Sequence, residues 1–162
     1  MAARESYCAV DLGEGLMVAG IGCRTGVSGE QVEAAIAAAL AALHGRAGDV
    51  LGWAVHDSAA ALAAIATPAA KAGEPGIQAA AAARGLPILA ISQPDLEAAN
   101  PATVTRSAQS MAAMNVHSVA EAAALAGAAT TAQLPTNPTP RLLQPRIAVG
   151  PVTCALADTT PP

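Results

Sequence analysis

The feature that most constrains the fold is a strand, a glycine-bearing turn and a capped helix that follow one another early in the chain. Residues 16–21 form a short apolar run that predicts a buried strand. Ser28 and Gln31 have the spacing of a capping box, which predicts the start of a helix. Apolar residues then recur at helical spacing until Gly45, which is predicted to end the helix: Val32, Ile36, Leu40 and Leu43.

The rest of the chain alternates between the same two kinds of element. Strands are predicted at residues 50–55, 87–91 and 152–157. Helices are predicted at residues 59–65, 77–84, 94–98 and 119–126, and a proline-rich connector is predicted at residues 135–145. Strands that alternate with helices predict a three-layer α/β/α domain with a mixed, mostly parallel sheet.

Length and composition set the size of that domain and exclude some partners. A chain of 162 residues predicts one domain, placed at residues 16–157, between an N-terminal extension (1–15) and a frayed tail (158–162). Alanine supplies most of the apolar residues and phenylalanine is absent, which predicts a thin, tightly fitted core. The net charge of −4 and the scarcity of aromatic residues argue against nucleic acid as a partner.

Cysteine usage and apolar runs indicate the compartment. The three cysteines lie far apart and match no zinc pattern, so no metal site is expected. The N-terminus lacks the apolar core of a signal peptide, and the alanine-rich run 34–43 is too short to span a membrane. We therefore expect a cytoplasmic protein with reduced thiols and no membrane partner.

Three turns that carry chemical groups are expected at the carboxyl ends of the strands, where α/β folds place their ligands. They are residues 18–31, 66–76 and 107–121. The first has the spacing GxGxxxG, which matches neither a Walker loop nor the dinucleotide motif, so no nucleotide or other cofactor is expected. Glycines and a helix start nevertheless favour anions, and Arg24 adds a forked donor for carboxylates. The alternative for Arg24 is a surface side chain paired with a glutamate.

Four other residues of these turns allow both a structural and a functional interpretation. Cys23, beside Arg24 and a helix start, is either a nucleophile or a buried, inert thiol, and no histidine at an informative spacing serves as its base. Lys71 and Glu74 form either part of a site or a local ion pair. Glu121 is explained by a capping box with Ser118.

Four ordered motifs resemble the cobalamin-biosynthesis family made up of CobE and the C-terminal domain of CbiG. They are VAGIGCRTGVSGEQVEAAIAAAL, IATPAAKAGEPGIQAAAAARGLPILAIS, SVAEAAALAGA and LLQPRIAVGPVTCALA. The resemblance covers residues 17–157 and implies a three-layer α/β domain with a mixed sheet. Because no hydrolase-like domain precedes it, the chain is similar to the free-standing CobE form of the oxygen-dependent route.

The resemblance implies a role with corrin-ring intermediates, which are flat, apolar and fringed with carboxylates. We expect the first two turns to face each other and to bind such a precorrin-type tetrapyrrole. Three classes remain open. The first is a protein that binds or hands on the intermediate, with other pathway enzymes as partners. The second is a hydrolase or isomerase that uses Lys71 and Glu74 as catalytic residues, with Cys23 as a further candidate, and the third is a purely structural partner in an assembly of pathway enzymes. The expected ligand-binding residues are Gly20, Gly22, Cys23, Arg24, Thr67, Lys71, Gly76 and Glu121.

Overall fold

The computed structural model describes residues 17–50, 62–131 and 139–160, with the side chains of 46–50, 131 and 160 left aside. These residues form five strands and five helices. The strands are β1 (Met17–Cys23), β2 (Leu62–Pro68), β3 (Ile88–Ile91), β4 (Thr139–Val149) and β5 (Val152–Thr160). The helices are α1 (Gly29–Val50), α2 (Pro75–Arg84), α3 (Gln93–Ala99), α4 (Ala108–Met114) and α5 (Val119–Thr131).

The strands form one mixed sheet in the order β3-β2-β1-β5-β4. The strands β1, β2 and β3 are parallel, and β5 runs antiparallel to both β1 and β4. The parallel strands end together at Cys23, Pro68 and Ile91, and we call this end of the sheet the carboxyl edge. The β4–β5 turn lies at the same edge, because Cys23 pairs with Val152.

Helices cover both faces of the sheet, so the predicted three-layer α/β fold is confirmed. One core cluster joins α1 and α2 to the sheet through Ala19, Ile21 and Ile65. The other joins α3 and α5 to the opposite face through Val18 and Ala66. Small side chains let the layers approach closely, as the alanine content predicted.

Helix α5 packs directly on the backbone of β1. A Cβ added at Gly20 would lie 2.0 Å from the carbonyl oxygen of Ala120, a distance that no side chain tolerates. Near the start of α5, a Cβ on Gly22 would lie 3.5 Å from the Cβ of Val119. Farther along, a Cβ on Gly127 would lie 2.9 Å from Val18. Helix α5 therefore begins at the carboxyl edge and runs back along β1.

Several local predictions are confirmed. The capping box at the start of α1 is complete: Ser28 N–H donates to Gln31 Oε1 at 2.9 Å, and Gln31 N–H donates to Ser28 Oγ at 3.1 Å. Helix α2 ends at Gly85, whose φ of 66° is the left-handed conformation that glycine adopts readily. Ser92 caps α3 by accepting a hydrogen bond from Asp95 N–H.

The elements between the first helix and the second turn were predicted wrongly. Helix α1 continues through Gly45 to Val50, so Gly45 is no stop and Val50 begins no strand. Residues 51–55 of that predicted strand lie outside the described residues. Residues 62–65 belong to strand β2, not to a helix. Thr67 is the one polar residue of the sequence LAAIATP because β2 is buried on both faces, and pairing with β1 and β3 overrides the helix propensity of alanine.

The last third of the chain also differs from the prediction. Residues 139–145 are not a connector but the first part of β4, an edge strand that tolerates Pro140 and Pro145, with register shifts between Leu142 and Ile147. Strand β5 continues past its predicted end to Thr160, and Asp158 is buried beside Arg141, so residues 158–160 are not a frayed tail. The remaining domain limits stay a prediction.

The third predicted turn contains a helix of its own. Ser107 caps α4 by accepting a hydrogen bond from Ser110 N–H, and α4 ends at Asn115, which has a positive φ of 57°. The loop of residues 103–107 precedes α4, and His117 N–H donates to Asn100 Oδ1 at 2.8 Å just before α5. These segments bring the start of α5 into contact with the region that follows α3.

Candidate functional site

The first and second predicted turns lie against each other at the carboxyl edge. They make contact through residues 24–28 of the first turn and residues 69–74 of the second. Gly26 N–H donates to Glu74 Oε1 at 2.8 Å, and Lys71 Nζ donates to Thr25 Oγ1 at 2.8 Å. The expectation that these two turns face each other is therefore confirmed. Gly26 has a φ of 89°, which favours glycine at the position that presents this N–H group.

Two buried residues hold the turns in this arrangement. Thr67, at the end of β2, donates its hydroxyl to the carbonyl oxygen of Ile21 on β1 at 3.0 Å. Gly76, near the start of α2, faces the carbonyl oxygen of Val27, and a Cβ added there would lie 2.3 Å from that oxygen. The structure thus places Thr67 and Gly76 in contacts between the two turns and their strands.

The glycines of β1 face protein atoms on the side where a Cβ would stand. At Gly20 that space is taken by α5, as described above. At Gly22 a Cβ would lie 2.7 Å from Thr153 Oγ1, which donates to the Gly22 carbonyl at 3.2 Å. Gly20 and Gly22 were predicted to bind a ligand. The structure shows another reason for glycine at both positions: a Cβ there would overlap α5 or β5, which pack against β1.

Arg24 is exposed at the centre of the carboxyl edge. Its backbone N–H donates to the carbonyl oxygen of Pro151 in the β4–β5 turn at 3.3 Å, which fixes the start of its side chain. Within the described part of the chain, its guanidinium forms no ion pair. The alternative of an Arg24–glutamate pair therefore finds no support among those residues, and the charge faces solvent.

Lys71 and Glu74 form a loose pair across the second turn. Lys71 Nζ lies 4.0 Å from Glu74 Oε2, and the Glu74 side chain is almost buried. One carboxylate oxygen of Glu74 already accepts the Gly26 N–H, and Lys71 already donates to Thr25. The pair therefore links the two turns and leaves one cation, only partly neutralised, beside Arg24.

Cys23 is half-buried next to this pair, and its thiol is not activated. Burial raises the pKa of the Cys23 thiol because it penalises the thiolate; the charge of Lys71 lowers the pKa less, and the charge of Glu74 raises it further. A nucleophilic cysteine requires the opposite shift. The inert interpretation of Cys23 agrees with its surroundings.

Glu121 is fully buried in the first turn of α5. Its carboxylate accepts hydrogen bonds from the N–H groups of Val104 (2.7 Å), Thr105 (3.0 Å) and Arg146 (3.0 Å), and from the Thr105 hydroxyl. Burial alone would raise the pKa of Glu121, but these four hydrogen bonds outweigh it and hold the pKa below its usual value.

Sequence reasoning missed this role of Glu121. Half of the predicted capping box is present, since Glu121 N–H donates to Ser118 Oγ at 3.3 Å. The carboxylate, however, joins two segments that lie 16 and 25 residues away in the chain. No local sequence signal reveals such partners, because only the tertiary fold brings them to α5.

A match to a known family model shows to which family this chain belongs. The family model described as "Cobalamin synthesis G C-terminus" matches residues 17–157. The chain belongs to this family of cobalamin-synthesis proteins. Among proteins with curated descriptions, none matches the chain by sequence.

Two solved structures resemble this member of the cobalamin synthesis G C-terminal family. The first is CobE, a protein from the cobalamin biosynthetic pathway, with a TM-score of 0.75 and 30% identity over 96% of this chain and 97% of that chain. The second is the cobalamin biosynthesis protein chiG from Agrobacterium tumefaciens, with a TM-score of 0.60 and 32% identity over 90% of this chain and 99% of that chain. The resemblance found in the sequence motifs is thus confirmed, and this protein is a cobalamin-biosynthesis protein.

The described residues offer neither a cluster of metal ligands nor a membrane-spanning helix. In residues 17–50, 62–131 and 139–160, no group of three or more histidine, cysteine, aspartate or glutamate side chains is arranged to hold a metal ion. Across the same ranges, no helix has the length and apolar character needed to cross a membrane.

Proposed function

We propose that this protein binds a precorrin-type tetrapyrrole of the oxygen-dependent cobalamin pathway at the carboxyl edge and hands it on, chemically unchanged, to another enzyme of the pathway in the cytoplasm. Membership in the cobalamin-synthesis family supports this class of ligand. The observation that carries the proposal is the exposed guanidinium of Arg24, unpaired with any described carboxylate, beside the joined first and second turns.

The chemistry of the ligand fits these groups. A precorrin presents a flat apolar ring whose rim carries acetate and propionate carboxylates. The forked guanidinium of Arg24 binds carboxylates in two parallel hydrogen bonds, and Lys71 adds a second positive charge nearby. In a chain with a net charge of −4, a polyanion needs such a local concentration of cations in order to bind.

The surroundings favour binding over catalysis. The Glu74 carboxylate is bonded to Gly26 N–H and faces Lys71, so it serves as a link between the turns. The raised pKa of the Cys23 thiol keeps this cysteine out of its reactive thiolate form at neutral pH. The alternative is a hydrolase or isomerase that uses Lys71 and Glu74 for proton transfer, and the same experiment tests it.

The experiment is a titration of the protein with a late precorrin, followed by absorption spectroscopy. We expect a saturable spectral shift and, after denaturation, recovery of the precorrin unchanged. A new chromophore after denaturation would establish the enzyme alternative. No binding in the micromolar to millimolar range would refute the proposal.

Two variants test whether the precorrin binds at the carboxyl edge. Arg24→Gln removes a charge-assisted contact of about 1.5–3 kcal/mol, which corresponds to binding weaker by roughly 10–100-fold. Arg84→Gln is the matched control, because it removes the same charge from a side chain that is already paired with Glu33. Equal affinity of Arg24→Gln and the control would exclude Arg24 from the site.

A further inference from the structure

The arginines whose side chains the structure describes sort into two groups, and of these Arg24, Arg106 and Arg141 are exposed whereas Arg84 and Arg146 are partly buried. Arg84 and Arg141 are held by carboxylates, Arg84 by Glu33 and Arg141 by Asp158. Arg106 and Arg146, like Arg24, form no ion pair within the described residues. In an acidic protein, an arginine without a carboxylate partner is available for an anion from outside.

The buried carboxylate of Glu121 brings Arg106 and Arg146 together. One of its oxygens accepts the N–H of Thr105, the residue before Arg106, and the other accepts the N–H of Arg146 itself. Consecutive Cα atoms lie about 3.8 Å apart, so both arginine side chains start within a short distance of one carboxylate. Burying a carboxylate is costly unless its hydrogen bonds are satisfied, and here four donors satisfy it. The fold thus fixes the backbone of two distant segments at a single point.

An apolar side chain is fixed at the same point. Val104 is the one large apolar residue of the described chain that is exposed, at 59% of its surface. Its exposure does not reflect a loose loop, because its N–H donates to Glu121 Oε1 at 2.7 Å and the neighbouring Thr103 is buried. A rigidly presented apolar side chain beside two unpaired cations matches a ligand with an apolar body and anionic substituents.

These groups lie next to the carboxyl edge. Glu121 belongs to the first turn of α5, and α5 begins against Gly22, one residue before the end of β1. Arg24 and Lys71 reach the edge from the turns that lead to the α1–α2 face of the sheet. On the opposite face, the backbone N–H groups of Val104 and Arg146 contact Glu121 at the start of α5, and Arg106 follows Thr105, which contacts the same carboxylate.

We propose that Val104, Arg106 and Arg146 form a second arm of the ligand site, which contacts the ring of the tetrapyrrole through Val104 and its rim carboxylates through the two arginines. This inference rests on the proposed function and adds the residues of the α5 side to it. Glu121 is a positioning residue of this arm: it does not touch the ligand, but it sets the backbone from which all three side chains project.

The experiment uses uroporphyrin, a flat tetrapyrrole with acetate and propionate carboxylates, and measures its affinity by fluorescence quenching at low and high salt. We expect the double variant Arg106→Gln/Arg146→Gln to bind at least 10-fold more weakly than the wild type and to show a smaller salt dependence. The double substitution Arg106→Lys/Arg146→Lys should restore part of the affinity. Arg84→Gln, the control, should stay within twofold of the wild type.

Combining Glu121→Gln with the two arginine substitutions tests whether Glu121 affects affinity by positioning the arm or by stabilising the whole protein. Glu121→Gln keeps the shape of the side chain but replaces acceptor oxygen by an NH2 group that faces N–H donors. If Glu121 acts through the arm, its loss of affinity and that of the arginine double variant should not add when all three substitutions are combined. Additive losses would overturn the positioning role. The arginine double variant tests the arm even if Glu121→Gln does not fold.

The outcomes distinguish the arm from the proposed function. Wild-type affinity in the arginine double variant, together with weak binding by Arg24→Gln, would overturn the second arm and leave the proposed function standing. If the wild-type protein bound neither uroporphyrin nor a precorrin, both the second arm and the proposed function would be overturned.

Discussion

Substitution of Gly76 by alanine tests whether the two turns are held together as the structure shows. The added Cβ would lie 2.3 Å from the carbonyl oxygen of Val27, 2.9 Å from its carbonyl carbon and 3.0 Å from the carbonyl carbon of Ser28. All three are backbone atoms, so no side-chain rotation relieves the overlap. The first turn must move away from the start of α2, which strains the Gly26–Glu74 hydrogen bond and the Lys71–Thr25 hydrogen bond.

The magnitude follows from three contributions. Overpacking at a tightly fitted position costs about 1–3 kcal/mol, and each weakened hydrogen bond adds up to about 1 kcal/mol. The better helix propensity of alanine returns at most about 0.5–1 kcal/mol, which is the value for a helix interior, whereas Gly76 lies in the first turn of α2. We therefore expect Gly76→Ala to lower the free energy of unfolding by about 2–3 kcal/mol, which for a chain of this size lowers Tm by roughly 5–10 °C.

The matched control lies in the same loop. A Cβ added at Gly73 would meet nothing within 4 Å, and Gly73 has no positive φ. Gly73→Ala should therefore change the free energy of unfolding by no more than about 0.5–1 kcal/mol. The assay is urea unfolding followed by circular dichroism, with uroporphyrin affinity measured on the folded variants. If Gly76→Ala were as stable as Gly73→Ala, the contact between Gly76 and Val27 would be refuted.

Two further predictions concern the titratable groups of the edge. The third cysteine, Cys8, lies outside the described residues and is replaced by serine so that only Cys23 and Cys154 can react. Because burial raises the pKa of Cys23 and raises that of Cys154 to about 12, the Cys8→Ser variant should react with a disulfide reagent at pH 7.5 more slowly than a small free thiol; faster reaction would show an activated Cys23. The folded pKa of Glu121 lies below its ordinary 4.5, so the unfolded chain binds the proton first as the pH falls. The stability that Glu121 contributes is therefore present above pH 4.5 and is lost as the pH falls through the folded pKa. The difference in unfolding free energy between wild type and Glu121→Gln, measured in urea from pH 7 to pH 3, should shrink on acidification, and a constant difference would contradict the charged hydrogen-bonded state.

Elements with strong local signals could be predicted from the sequence. The capping box of Ser28 and Gln31, the glycine after α2 and the serine before α3 act within a few residues, so their patterns are readable without tertiary information. Strand β2 and the first half of β4 could not be predicted in this way. Alanine and proline have propensities that oppose a strand, and only pairing with a neighbouring strand outweighs them.

In the candidate site, too, some residues have a local sequence signal and others depend on tertiary contacts. The turns that carry Arg24, Lys71 and Glu74 were expected to face each other at the carboxyl ends of the strands, although residues 62–65, before the second turn, were predicted as a helix and not as the strand β2. The anchor at Glu121 was not found, since the donors to its carboxylate come from residues 104, 105 and 146. A capping motif explained Glu121 locally and thereby concealed its tertiary role.

The sequence by itself determined the α/β class, the family and the turns that carry charge, because periodicity, caps and ordered motifs are local properties of the chain. Only the tertiary structure decided what the glycines of β1 accommodate, which arginines remain unpaired among the described residues, and which segments Glu121 joins. Those properties depend on distances between residues that are far apart in the chain, and packing α5 on the backbone of β1 sets these distances.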